Sequence, residues 1–296
     1  MNDNDKYVIR AGETAHDQFE TDLTIERAGW EFSAIAVLGL EAGQSQTRNS
    51  GDTELLVLPF EGGCTVEVNG QTYEIKGRES VFTGITDYIY IPRGTEFTVT
   101  SKNGGRFCLP AAKATKDLPV RYCPVEEVVT MLRGAGNCSR QVNNYALGNE
   151  LETSHLLVTE VLTPGGNWSS YPPHKHDEHN ENERVLEEIY YYEVREGNGG
   201  KNGKEGFALQ RIYPSPGKPI DVCTEVRSRD IVIMPYGYHG PSVAAPGYDL
   251  YYLNVMAGPA EDSTWLMTND PHHDWVRESW SDQAIDPRLP MTPMND

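Results

Sequence analysis

From Cys64 to Ile75 the chain reads Cys64-Thr-Val-Glu-Val-Asn-Gly-Gln-Thr-Tyr-Glu-Ile75, with apolar and polar residues alternating on either side of Asn69-Gly70. A period of two suits a half-buried strand. A two-residue type I′ turn needs φ > 0 at both central positions, which Asn-Gly tolerates. The segment therefore predicts a tight β-hairpin. Similar short runs recur at Asp87–Ile91, Glu96–Thr100, Leu156–Leu162, Glu188–Val194, Phe207–Tyr213, Asp230–Met234 and Leu250–Met256, separated by Gly, Pro and Asn. With 28 Gly, 19 Pro and 16 Tyr in 296 residues, the composition favours turns and strands, so the expected class is all-β, a sandwich or barrel. Helical patterning is confined to Val125–Leu132 and Trp275–Trp280.

The strand frame occurs twice. Asp87-Tyr-Ile-Tyr-Ile-Pro92-Arg-Gly94-Thr-Glu96 lines up with Asp230-Ile-Val-Ile-Met-Pro235-Tyr-Gly237-Tyr-His239. Upstream, Glu54-Leu-Leu-Val-Leu58 lines up with Glu188-Ile-Tyr-Tyr-Tyr192 in the same order. A length of 296 residues suits two domains. The Gly-rich segment Arg133-Gly-Ala-Gly-Asn137 reads as the connector, dividing the chain into residues 1–136 and 137–296. No strand-then-helix context or P-loop Lys accompanies these glycines, so they do not read as a phosphate loop.

The formal charge of −19 repels phosphate backbones and anionic lipid, which argues against nucleic-acid and membrane partners. No apolar run approaches the ~20 residues of a spanning helix. The start, Met1-Asn-Asp-Asn-Asp-Lys6, lacks the pattern of a signal peptide. Cys64, Cys108, Cys123, Cys138 and Cys223 are odd in number and show no C-x-x-C spacing, so they read as reduced, buried thiols of a cytoplasmic protein.

The chemistry concentrates in the second half. In His174-Lys-His176, strand alternation lets His174 and His176 enter one interior together while Lys175 faces away. Glu188 opens the next strand, and His239 follows the Pro-x-Gly turn. Three imidazoles and a carboxylate suit a borderline divalent ion: Zn first, with Mn, Fe, Co or Ni as alternatives. The first half keeps the frame without these ligands. Glu96 stands at the place of His239, and Gln44-Ser-Gln-Thr-Arg48 offers no H-x-H, so no transition metal is expected there. His16, His155 and His179 have no evident partners. Asp270-Pro-His-His-Asp-Trp275 reads as a capped turn leading into the second helical segment.

This arrangement resembles the cupin superfamily, with departures. Eleven residues separate His176 from Glu188, the Gly237-to-His239 spacing is one residue short, and Val243 stands where the second motif closes on Asn. Within the cupins, His174-Lys-His-Asp177, Leu186-Glu-Glu-Ile-Tyr-Tyr-Tyr192, Gly237-Tyr-His239, Ala245-Pro-Gly-Tyr-Asp-Leu-Tyr-Tyr-Leu-Asn254 and Met256-Ala-Gly258 are similar to the 5-deoxy-glucuronate isomerase (inositol-catabolism protein B) family. The connector and Arg140-Gln-Val-Asn-Asn144 share that likeness.

The resemblance implies two tandem cupin barrels (double-stranded β-helix or jelly-roll, a bicupin), with one metal ion per chain in the C-terminal barrel. It implies His174, His176, Glu188 and His239 as ligands, with Glu187 a competitor for the carboxylate role. It also implies conversion of 5-deoxy-D-glucuronate to 5-dehydro-2-deoxy-D-gluconate in myo-inositol catabolism. In that aldose-to-ketose step a divalent ion would stabilise an enediolate. Tyr190 and Tyr192, sharing the parity of Glu188, and Glu187 are the candidates for proton transfer. Arg211 is the candidate for the substrate carboxylate, because its fork matches that group. The eight acidic and two basic residues between Asp177 and Glu196 make some local positive charge necessary for an anionic substrate. A homo-oligomer is expected. Competing expectations are 5-dehydro-4-deoxy-D-glucuronate isomerisation in pectin breakdown, an iron dioxygenase, and a non-catalytic sugar-acid-binding cupin.

Overall fold

The structure is a computed structural model and describes residues 2–197 and 206–295. The Asn69-Gly70 hairpin forms as expected. Strands Thr53–Val68 and Gln71–Arg78 pair with Val68 opposite Gln71, and both turn residues have φ > 0. The other expected runs are all strands, paired antiparallel within three sheets. A nine-stranded sheet system belongs to the first half, and a seven-stranded and a six-stranded sheet to the second.

The strand Glu187–Glu196 sits inside the seven-stranded sheet, between Ile231–Met234 and Tyr248–Ala257. Its alternation sorts two environments. Glu188, Tyr190 and Tyr192 point toward the six-stranded sheet that carries His174 and His239. Glu187, Tyr191 and Glu193 point the other way, against Ser33, Phe60 and Arg106 of the first half. The expected parity of Tyr190 and Tyr192 against Tyr191 therefore holds.

Two strands cross the expected division at residue 136. Val8–Ile9 pairs with Ile231–Met234, and Val129–Arg133 pairs with Arg140–Ala146, so both extend the sheet of the second half. The latter corrects the helix expected at Val125–Leu132, where one 3-10 turn, Val125–Glu127, precedes an extended segment. Val129 and Thr130 are β-branched, and pairing with Arg140–Ala146 supplies the hydrogen bonds that a short isolated helix could not sustain. Trp275–Trp280 does lie in a helical segment, the 3-10 helix Asp274–Asp282, and Asp270 caps the turn before it by accepting from the His272 amide. All five cysteines are free. Cys64, Cys108 and Cys123 are buried as expected, Cys138 is half-buried, and Cys223 is exposed on the Val222–Val226 strand, contrary to expectation.

The halves meet over a continuous apolar core, in which Leu56, Leu58 and Phe60 of the first pack with Tyr191, Tyr251 and Val255 of the second. One ion pair is buried within it. Arg78 donates to both oxygens of Glu160 at 3.0 and 2.9 Å, and Asn143 and Tyr145 donate to the same carboxylate. Both side chains are almost fully removed from solvent (2% and 0% exposed), so losing one partner strands a buried charge. Arg78→Met is expected to lower unfolding free energy by about 3–5 kcal/mol. The double variant Arg78→Met/Glu160→Gln should recover part of that loss. Urea denaturation of both proteins measures the difference.

Candidate metal centre

His174 lies on the short strand His174–Lys175, directly opposite His239 of the Tyr238–Ala244 strand, and His176 follows two residues later. Ring centroids are 4.4 Å apart for His174 and His239 and 4.7 Å for His176 and His239. Glu188 reaches across from the seven-stranded sheet, with one oxygen 2.7 Å from Nε2 of both His176 and His239. All four side chains are buried. The structure thus brings together the four residues that the sequence singled out.

The cluster lacks the contacts that would complete it as a purely structural network. His174 Nε2 and Glu188 Oε1 are buried without a hydrogen-bond partner, and His239 Nε2 meets only the Glu188 carboxylate. Such orphaned acceptors in a dry site are costly, and a divalent cation would satisfy them together. Burial, reinforced by His239, holds the His174 pKa well below its ordinary value, so this ring stays in the neutral, ligating form. Burial alone would raise Glu188, but the His239 and His176 rings outweigh it and hold the carboxyl well below the usual range. The Nδ1 of His176 lies 2.9 Å from the Leu186 carbonyl, and a bond donated there leaves Nε2 facing the other donors.

A buried network next to the imidazoles fixes their strands. Lys175 points away from the cluster, as expected, and donates to Asp177 at 2.8 Å and to both oxygens of Glu183 at 3.0 Å. The other Asp177 oxygen accepts from the Gly237 amide and the Ser215 hydroxyl. The segment carrying His174 and His176 is thereby tied to the turn that presents His239.

A cleft opens over His174. Its walls include Tyr190, Tyr252, Asn254, Ser170, Thr159, Trp265 and three arginines, Arg133, Arg140 and Arg277. Tyr190 stacks on Tyr252 with centroids 4.3 Å apart, and its hydroxyl lies 3.1 Å from Ser170 Oγ. Burial, then Glu188, pushes the Tyr190 phenol well above its normal pKa, and burial pushes Tyr252 up to about 12. Both stay protonated near neutral pH. Tyr192 lies behind Tyr190 and donates to Gln210 at 2.8 Å, so its hydroxyl is already used.

Three sequence expectations need correction. Glu187 projects from the opposite sheet face, where it accepts amides from Glu31, Phe32 and Ser33 at 2.7–2.8 Å, so it is not available as a base. Arg211 is also outside the cleft. Its neighbours Gln210 and Ile212 point inward, which turns Arg211 outward onto Asp221 and the carbonyls of Ile212 and Val222. The alignment of the two halves is off by one. Leu55 opposes Ile91, and Glu188 opposes Met234, the residues just before Pro92 and Pro235. Leu55 is therefore the counterpart of Glu188, and Glu54 is the counterpart of Glu187.

That shift explains Glu54. Its carboxylate accepts amides from Ser154, His155 and Leu156 at 2.7–2.8 Å, mirroring the way Glu187 binds residues 31–33. Leu55 and Val57 belong instead to a buried apolar cluster with Ile89 and Ile91, and Leu55 also borders a pocket shared with Asp22, Arg48 and Asn49. Glu96, set at the place of His239, is exposed. His155 gives its backbone amide to Glu54 while its ring nitrogens meet Thr115 and the Ala260 carbonyl, His16 pairs with Asp22, and His179 is exposed.

Antiparallel sheets around a recessed cluster of three imidazoles and a carboxylate define the class: an all-β cupin protein. Against solved structures, the chain superposes on Bacillus subtilis oxalate decarboxylase with TM-score 0.62 at 11% identity, covering 89% and 79% of the two chains, a likeness of fold alone. An IolB-like protein from Salmonella typhimurium LT2 matches with TM-score 0.83 and 34% identity over 91% of this chain and 98% of that one. Residues 7–276 match the KduI/IolB family, and the chain belongs to that family. Relatives named 5-deoxy-glucuronate isomerase include those of Geobacillus thermodenitrificans (40% identity over 87% of this chain and 90% of the relative) and Bacillus subtilis strain 168 (37%, 87% and 92%). The chain is an isomerase. No helix among the described residues is long and apolar enough to cross a membrane.

The Asp177 network has a measurable pH signature. Burial opposes its ionisation, but Lys175, Ser215 and the Gly237 amide outweigh that and bring its pKa from 3.8 down to about 2. A carboxyl depressed in the folded state contributes stability above its unfolded pKa and loses it as pH falls through the folded one. That contribution, about 2 kcal/mol, is expected to disappear between pH ~4 and ~2. Asp177→Asn should flatten the stability–pH curve in that window, measured by denaturant midpoints.

Proposed function

We propose that this isomerase is a metal-dependent aldose–ketose isomerase, converting 5-deoxy-D-glucuronate to 5-dehydro-2-deoxy-D-gluconate in myo-inositol catabolism. The observation that carries the reading is the convergence of His174, His176, His239 and Glu188 beside the cleft that His174 lines, with His174 Nε2 and Glu188 Oε1 buried and unpartnered. These four residues would hold one divalent ion, Zn first among the metals suited to three nitrogens and one carboxylate oxygen. The relatives named for that reaction support the substrate.

The reaction moves a proton between adjacent carbons and interchanges a carbonyl and a hydroxyl. The bound ion supplies Lewis acidity toward the substrate oxygens, with no redox change needed. The protein's own groups do the rest. Tyr190 and Tyr252, which line the cleft and are kept neutral by burial, would donate to substrate oxygens. Asn254, whose Oδ1 is buried and unpartnered, is set to accept from a substrate hydroxyl. Tyr192 positions Tyr190 from behind, with ring centroids 6.1 Å apart. No Asp or Glu is among the described residues lining this cleft and both phenols stay protonated, so the carbon-to-carbon proton transfer passes through solvent held there.

We further infer that each half is a cupin barrel, that only the second carries a metal, and that the enzyme works in the cytoplasm as a homo-oligomer. Leu55 in the counterpart position of Glu188 supports the metal-free assignment of the first barrel.

Chelation is expected to abolish turnover of 5-deoxy-D-glucuronate, and one equivalent of divalent ion to restore it. His174→Ala and Glu188→Gln should lower metal content and reduce kcat/KM by at least ~100-fold, about 3 kcal/mol of transition-state stabilisation. The same assay with 5-dehydro-4-deoxy-D-glucuronate separates the two sugar acids. Faster turnover of the latter, or full activity in metal-free protein, would overturn the assignment.

A further inference from the structure

We propose that Arg133, Arg140 and Arg277 form the seat for the carboxylate of the sugar-acid substrate, at the end of the cleft away from the reacting carbons. This rests on the sugar-acid reading above and assigns the contact that fixes the substrate's direction.

The connector between the halves builds the seat. Residues 129–146 form a hairpin in which Arg133 lies directly opposite Arg140. Like charges directly opposed on antiparallel strands repel one another. Among the described residues, no carboxylate lies within ion-pair distance of either guanidinium. Arg140 is buried and donates only to the Cys138 and Tyr171 carbonyls, at 2.9 and 3.4 Å. Gly134 makes the arrangement possible. At φ +76 it turns the hairpin, and a Cβ there would strike the Cys138 carbonyl and come within 2.8 Å of the Arg140 guanidinium.

Arg277 arrives from the C-terminal 3-10 helix and joins the same cleft wall. Its Nη2 donates to Asn269 at 3.0 Å, and its buried Nε lies 3.5 Å from Asp274 without a hydrogen bond. Two tryptophans pin the guanidinium groups. Arg140 and Arg277 both lie over Trp280, at 5.7 and 5.4 Å from its ring centroid, and Trp265 lies 5.5 Å from Arg133 and 6.3 Å from the His174 ring. Burial lowers the pKa of all three, and the arginines' mutual repulsion lowers Arg133 and Arg140 further, Arg140 to about 10.

Three clustered cations with a single carboxylate at their edge are an incomplete electrostatic set. An anionic group completes it, and planar guanidinium forks recognise a carboxylate by paired hydrogen bonds. With that group seated, the aldehyde end of the substrate faces His174 and Tyr190. The seat also offsets the −19 net charge that otherwise opposes an anionic ligand. Neutral aldoses lose the contact and leave the cations unpaired.

Arg133→Met and Arg277→Gln test the seat, with melting temperature and metal content recorded for each. Wild-type enzyme should prefer 5-deoxy-D-glucuronate to its neutral C6 amide by about 100-fold or more in kcat/KM. In each variant KM for the acid should rise about 10-fold or more with kcat little changed, while kinetics on the amide stay the same. Unchanged preference for the acid in both variants overturns the seat. Calorimetry with two non-reacting probes, D-gluconate and neutral D-glucitol, separates this result from failure of the isomerase reading. Arginine-dependent gluconate binding by a protein that turns over neither sugar acid would retain the seat and remove the reaction. Gluconate bound equally by wild type and the Arg133→Met/Arg277→Gln variant, or bound by neither, removes the seat whatever the reaction.

Discussion

Two carboxylates hold the molecule in its working arrangement. Glu54, from the first half, accepts three consecutive amides at the entry to the Leu157–Thr163 strand of the second. Glu187, from the second half, accepts three amides at the entry to the Ser33–Leu40 strand of the first. Charge-assisted bonds of this kind contribute roughly 1.5–3 kcal/mol each. Their reciprocity matters as much as their strength. Glu187 immediately precedes Glu188, so the contact that docks one half on the other also sets the register of the strand bearing the carboxylate of the candidate metal centre. The buried Arg78–Glu160 pair and the Leu56–Phe60 apolar face then pack around a geometry already fixed by these anchors.

Much of this was legible because the strands that carry chemistry are amphipathic. The Asn69-Gly70 hairpin, the Glu188–Val194 run and the Asp230–Met234 run advertise themselves through alternation or through a Pro-x-Gly exit, and H-x-H parity is a direct consequence of strand geometry. The strands Ser33–Leu40 and Gly105–Lys113 are buried along most of their length and so lack alternation. Such segments carry no periodicity by which to recognise them. The connector failed for a different reason. Glycine-rich composition at Arg133–Asn137 is equally compatible with a linker and with a tight turn, and only the pairing of Arg133 with Arg140 decides between them.

The misassigned carboxylates share one cause. In Glu187-Glu188 the two side chains go to opposite sheet faces, and sequence supplies the parity but not the identity of what lies on each face. Once one face is the imidazole cluster and the other the companion half, Glu188 becomes a candidate ligand and Glu187 an anchor. The same reasoning moves the counterpart of Glu188 from Glu54 to Leu55. Arg211 failed similarly: a guanidinium in a barrel strand is a candidate for an anion only if its parity is inward. The acidic run from Asp177 to Glu196 is also more structural than its composition suggests, since Asp177 and Glu183 neutralise the buried Lys175.

The apolar interior around Leu55 gives the architecture an economy of its own. A chamber lined by imidazoles, a carboxylate and phenols cannot maximise packing, because its donor atoms must stay uncommitted. In the first half, Leu55, at the counterpart position of Glu188, packs in one buried apolar cluster with Val57, Ile89, Ile91, Phe97 and Phe107. A packed apolar cluster of that kind makes a stiff support, and the Glu54 and Glu187 anchors couple it to the His-lined chamber. Smaller side chains in the first half's cluster would therefore loosen the His-lined chamber through those anchors, without altering any residue of that chamber.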